Sequence, residues 1–126
     1  MKRFITFLIV LLIIPLFLPT VCQSAESMNS TEFINRGTAW YRDGDYDRAI
    51  DHYTKAIAID SRAFVAYFNR GNAFAKKGLH DKAIADFSKA IDLDPSASSA
   101  YFNRGNSWIQ KDEYDRAISD YSKAIV

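Results

Sequence analysis

The hexapeptide YFNRGN stands at Tyr67–Asn72 and returns letter for letter at Tyr101–Asn106, 34 positions further on. Sliding the sequence against itself by 34 extends the agreement: AIDHYTKAI starts at Ala49, AIADFSKAI at Ala83 and AISDYSKAI at Ala117, and NRG falls at Asn35, Asn69 and Asn103. A fixed period of this size means that one supersecondary unit is stacked on copies of itself. It constrains the fold more than any composition figure, because identical junctions between units demand near-identical residues at each period.

Each unit carries two helical patterns. In the middle unit Tyr67, Gly71 and Phe74 recur at three- and four-residue spacing over Phe64–Lys77, and Ala83, Phe87, Ala90 and Ile91 repeat that spacing in the second half. Such spacing is the apolar stripe of an amphipathic helix. Gly78, and Gly44 one unit earlier, are placed to end a first helix with positive φ, and Asp112 takes that position in the third unit. Asp94-Pro95-Ser96 closes the second unit, with Ser96 or Ser98 available to cap the helix after it. The spacing predicts an all-α chain of about six helices: helix, short turn, helix, short turn.

At these residues the chain resembles the tetratricopeptide repeat family, whose pattern runs W-x2-L-G-x2-Y, then A-x3-F, then P. The middle unit matches at Tyr67, Gly71, Phe74, Ala83, Phe87 and Pro95, with Ala90 as the second small residue. The first matches at Phe33, Gly37, Trp40, Ala49, Tyr53 and Ala56, with Ser61 in place of proline. The third matches at Tyr101, Gly105, Trp108, Ala117, Tyr121 and Ala124. The resemblance covers residues 30–126, in repeats of about 30–63, 64–97 and 98–126, and implies a superhelical solenoid of antiparallel helix pairs. One departure is consistent: Arg36, Arg70 and Arg104 stand where the family pattern has leucine. An arginine beside a close-approach glycine cannot be buried alone. Asp86 and Asp120 recur at matching places on the second helices, with His52 in the first unit, so the expectation is a repeated ion pair. A ligand-facing arginine row is the alternative.

The first residues obey a different logic. Met1-Lys2-Arg3 is basic, Phe4–Leu18 is apolar but for Thr6 and Pro15, and small polar residues follow. That order describes a secretory signal peptide over residues 1–25, with 26–29 as a short linker. An uncleaved membrane anchor is the rival, weakened by Pro15 and Pro19. Cys22, the only cysteine, lies where a bacterial lipoprotein carries its lipidated residue, although Val21 precedes it where that family has a small one. The expected location is therefore exported, periplasmic or secreted, with the membrane reached only through an uncleaved or lipidated N-terminus. The sixteen basic residues include Lys2 and Arg3, so the remainder holds fourteen basic against fifteen acidic side chains. That balance gives no electrostatic reason to expect nucleic acid.

No nucleophile–base pair stands out, and the two histidines, His52 and His80, lie in different units. General acid–base work needs such groups within hydrogen-bond reach, so no enzyme activity and no cofactor are expected. The run DGDYD at Asp43–Asp47 begins like a calcium loop, but Arg48 and Thr54 stand where that loop needs glycine and glutamate. It reads as a turn with Asp45 capping the next helix. What remains is surface. The resemblance implies a concave groove lined by the first helices, which takes a protein or peptide partner. Its positions here are Ile34, Thr38, Tyr41 and Arg42, then Phe68, Asn72, Ala75 and Lys76, then Phe102, Asn106 and Ile109. Phe68 and Phe102 offer apolar contact; Asn72 and Asn106 offer donor and acceptor to an extended backbone. The lysines with which some family members clamp a terminal carboxylate would fall at Ile34 and Phe68. The final helix, with Ala117, Tyr121, Ala124 and Ile125, is expected to leave an apolar face open to self-association or to a capping segment, which makes a structural or oligomerisation role the alternative function.

Overall fold

The computed structural model describes residues 27–126. The predicted signal segment lies outside the described residues. Six helices follow one another: α1 (Ser30–Arg42), α2 (Tyr46–Ile59), α3 (Phe64–Lys76), α4 (His80–Leu93), α5 (Ser98–Gln110) and α6 (Tyr114–Ala124). Among the described residues there is no strand, and no described helix is long and apolar enough to cross a membrane. Each first helix packs on its own second helix, and α2 and α4 pack on the first helix of the next unit, which gives a solenoid of helix pairs.

The turns follow from local chemistry. Gly44 and Gly78 end their helices at φ 81° and 75°, and Asp112 adopts φ 59° in the third unit. Aspartate is among the few side chains that tolerate this left-handed region, and here its carboxylate accepts a hydrogen bond from the Tyr114 hydroxyl at 2.8 Å. Asn29 caps α1 through the Glu32 N–H at 2.9 Å, and Asp45 caps α2 through the Arg48 N–H at 3.0 Å. The expected serine cap of α5 is not formed. Ala97 holds the cap position and offers no side-chain bond. Ser96 instead donates from both its backbone N–H and its hydroxyl to Asp94, at 3.0 and 2.6 Å, and the helix begins at Ser98, so that neither serine falls on the cap position. These two bonds hold the Asp94 carboxyl below the usual carboxylate range.

Packing within each pair depends on what glycine lacks. A Cβ on Gly71 would lie 2.8 Å from the Phe87 ring, and on Gly37 and Gly105 2.7 Å from the rings of Tyr53 and Tyr121. Ala49, Ala56, Ala66, Ala73, Ala83, Ala90, Ala100 and Ala117 are fully buried around these contacts. The cations on the second helices lie over the outer aromatics: Arg48 over Trp40, Lys82 over Phe74 and Arg116 over Trp108, at 4.5, 5.6 and 4.7 Å.

The arginine departure resolves as expected in two units. Arg70 donates through Nε and Nη2 to both oxygens of Asp86 at 2.8 Å, and Arg104 grips Asp120 in the same way at 2.8 and 2.7 Å. Each arginine also reaches back across the junction, Arg70 to the Thr54 hydroxyl and Arg104 to the Ser88 hydroxyl, both at 3.0 Å. Hydrogen bonds to Asp86 and Asp120 raise the arginine pKa values, against an opposing effect of burial. Arg36 differs. With no aspartate opposite, it lies exposed and pairs with Glu32 one turn away, while His52 turns its Nδ1 to the Arg48 carbonyl.

The two halves of this pair are unequal in energy. A buried carboxyl left alone can take up a proton, whereas a guanidinium cannot lose one. Asp86→Leu is expected to cost about 3 kcal/mol, the lower part of the range for breaking a buried pair because Arg70 keeps some solvent contact. Arg70→Leu should cost roughly half as much, since leucine restores apolar packing there. Urea unfolding of both variants measures the difference; equal and negligible changes would remove the pair from the list of stabilising contacts.

Candidate functional site

The first helices α1, α3 and α5 lie side by side and form two adjoining hollows between them. Thr38, Tyr41, Arg42, Tyr53, Asn69 and Asn72 line one, of about 270 Å³. The other, of about 430 Å³, is lined by Tyr41, Asn72, Ala75, Lys76, His80, Phe87, Asn103, Asn106, Ser107 and Gln110. Tyr41 and Asn72 belong to both, so the two form one continuous depression. Helical periodicity explains the set. Positions 38, 41 and 42 in α1, 69, 72 and 76 in α3, and 103, 106 and 110 in α5 recur at three- and four-residue spacing and share one face.

The polar groups on this face are held in place. The Tyr53 hydroxyl donates to Thr38 Oγ1 at 3.2 Å, and the Thr38 hydroxyl donates to the Ile34 carbonyl at 2.9 Å. Asn103 Nδ2 donates to Asn72 Oδ1 at 2.8 Å, and the Tyr121 hydroxyl donates to Asn106 Oδ1 at 2.6 Å. Asn72 and Asn106 therefore each have an engaged oxygen and present their amide N–H groups, rather than both functions equally. Burial, then the neighbouring Tyr46 and Tyr53, push the Tyr41 hydroxyl pKa up, and Tyr46 meets its ring edge-on at 5.3 Å. Burial also raises Tyr53, opposed by its bond to Thr38 and by the charge of Arg42. The His80 Nδ1 is buried without a hydrogen-bond partner.

Of the residues singled out from sequence, Thr38, Tyr41, Arg42, Asn72, Ala75, Lys76 and Asn106 come together here. Ile34 and Ile109 are half-buried and line neither hollow. Phe68 sits in the packing between units: it stacks on Phe64 at 5.9 Å, meets Phe87 at 5.9 Å and covers the Ala90, Ile91 and Ala100 cluster. Phe102, its equivalent one unit on, is exposed. With Ser98, Ser99, Asn103, Tyr121, Ala124 and Ile125 it lines a separate apolar hollow of about 440 Å³ beside α6. Asn69 and Asn103 are not among the groove positions that the resemblance implies. Both belong to the repeated NRG letters, and the signal that finds them is their place three residues before Asn72 and Asn106. Gln110 stands 34 residues after Lys76, so the period itself finds it, whereas His80 opens α4, off the face of the first helices.

The run DGDYD forms the turn into α2. Asp45 is engaged in the cap, and Asp47 pairs with Lys77 of the next unit. Among the described residues no group of three or more acidic, histidine or cysteine side chains is placed to hold a metal ion.

Sequence profiles described as tetratricopeptide repeat match residues 64–97 and 98–125, and one described as TPR repeat matches 37–78. The sequence matches no curated protein. Among solved structures the chain is similar to the second TPR of Spaghetti (RPAP3) bound to HSP90 peptide SRMEEVD, with 29% identity over 80% of this chain and 94% of that one and a TM-score of 0.76. It is also similar to the Sgt2 TPR domain from Aspergillus fumigatus, at 31% identity over 76% of this chain and 64% of that one with a TM-score of 0.73. A third likeness is to MamA, at 29% identity and a TM-score of 0.75, where 77% of this chain covers 57% of the other. The chain thus spans nearly all of the RPAP3 domain and little more than half of MamA.

Proposed function

The chain belongs to the tetratricopeptide repeat family, and from that premise we propose that it is a non-catalytic interaction module that takes an extended peptide or protein segment in the depression between α1, α3 and α5. The observation that carries this reading is the set of unengaged hydrogen-bonding groups collected there: the amide N–H groups of Asn72 and Asn106, Asn69, and the cations Arg42 and Lys76. Fixed polar groups in a concave site favour a ligand that brings its own unpaired backbone. The RPAP3 structure, which holds a peptide on a domain of the same fold, supports it. Asn72 is the central residue, since it borders both hollows. Screening the full chain against an array of short random peptides should give binders, and Asn72→Ala should weaken them about tenfold, the worth of one well-placed hydrogen bond. Stability should change by no more than about 1 kcal/mol. Absence of any binding that depends on Asn72 would overturn the groove.

A second reading has its own observation. The hollow beside α6 is lined by Phe102, Tyr121, Ala124 and Ile125, and Phe102 and Ile125 are 52% and 85% exposed. Contiguous apolar surface of this kind marks a contact face, and a structural or oligomerisation role through α6 uses it. Sedimentation across concentrations should then show association that Tyr121→Glu and Ile125→Lys abolish; a monomer at high concentration, unchanged by either, counts against it.

We place the module outside the cytoplasm, on the basic start and apolar run of residues 1–18. N-terminal sequencing of the native protein should begin near Ala25. A membrane-held chain that still starts at Met1 would mean an anchor.

A further inference from the structure

The charges of the depression are all of one sign. Arg42 and Lys76 occupy equivalent places 34 residues apart, in the last turns of α1 and α3. Neither takes part in an ion pair among the described residues, although most of the surrounding cations do. Arg70 and Arg104 hold Asp86 and Asp120, Lys77 and Lys111 hold Asp47 and Asp81, and Arg48 and Lys55 hold Asp45 and Asp51. The contrast is sharpest between neighbours in sequence, since Lys77 is engaged across the unit junction and Lys76 is not. No aspartate or glutamate lines either hollow. The asparagine geometry adds to this. With Oδ1 of Asn72 and Asn106 engaged by Asn103 and Tyr121, both side chains present N–H.

We infer that the depression selects an extended peptide segment carrying internal aspartate or glutamate side chains, with Arg42 and Lys76 meeting the carboxylates and Asn72 and Asn106 donating to the segment's backbone carbonyls. The inference rests on the groove reading above and adds its charge preference. A concave surface with cations and donors but no competing carboxylate attracts anionic groups, and two positive groups one repeat apart read charge at two points along an extended chain. Arg42 and Lys76 stand in different helices, α1 and α3, and a chain terminus supplies one carboxylate, so meeting both cations takes acidic side chains within the segment. Two free cations are too few for the multiple phosphate contacts on which nucleic-acid affinity depends.

The test uses the full chain and an array of random peptides of about 12 residues, all with amidated C-termini, at low salt. The expected result is enrichment of internal Asp and Glu among the binders. Raising the salt to screen the charges should weaken them about three- to tenfold, as should the double substitution Arg42→Ser and Lys76→Ser. Arg62→Ser with Lys89→Ser removes two cations that line neither hollow and should leave binding unchanged. Binders that depend on Asn72 but show no acidic enrichment would overturn the inference while the groove stands. Binding lost equally in both double variants, or an unstructured single-stranded oligonucleotide bound more tightly than any peptide, would overturn it too. No Asn72-dependent binding at all removes the groove and the inference together.

Discussion

The whole molecule depends on one close approach, between a glycine of each first helix and an aromatic ring of its second. Gly71 lies so near Phe87 that no side chain fits between them, and Gly37 with Tyr53 and Gly105 with Tyr121 repeat the arrangement. In an exposed helix glycine costs roughly 1 kcal/mol relative to alanine. Here that cost is offset by ring burial: Tyr53 and Phe87 are almost wholly removed from solvent, worth about 2–3 kcal/mol for each such side chain. The distance set by this contact fixes where Asp86 and Asp120 stand relative to Arg70 and Arg104. The spacing at which α1, α3 and α5 lie side by side is set in turn by the packing of α2 on α3 and of α4 on α5.

The same ring positions connect the core to the surface that is proposed to bind. Tyr53 packs on Gly37 and, through its hydroxyl, holds Thr38 at the edge of the depression. Tyr121 packs on Gly105 and holds Asn106. In the middle unit the ring is phenylalanine, which offers no hydroxyl, and Asn72 is held instead by Asn103 from the neighbouring helix. Core and site are thus one construction: the rings that close each helix pair also orient the polar groups above them. Such pre-orientation lowers the entropy a ligand must overcome on binding.

The fold was legible because the period is a direct record of packing. Gly71, Ala83 and Phe87 are fixed by contact with one another, and contact constrains residue type. The arginine–aspartate pairs could be read for the same reason, since both members recur in step. Local exceptions were less visible. The loss of Asp from the first unit leaves Arg36 exposed on Glu32, and the Ser96 hydroxyl is engaged by Asp94; each follows from a single neighbour and not from the period. The candidate site was legible only in part. Phe68 and Phe102 share a repeat position but not a setting, because α5 covers the first, while among the described residues the second stays exposed. Which side of a helix faces a neighbour and which faces a hollow is decided by stacking, and a self-comparison of the sequence contains the register of that stacking without its geometry.

The pairs that cross each junction give the solenoid a direction. Lys77 reaches back to Asp47 and Lys111 to Asp81, so at both junctions the later unit brings a base to an acid of the earlier one, like a row of hooks and eyes. The first unit breaks the series, with Asp43 where the later ones have lysine, and Asp115 is the acid that the third unit offers. Lys77 and Lys111 each find their acid in the unit before their own, so the order of the units is written into the charges of their turns.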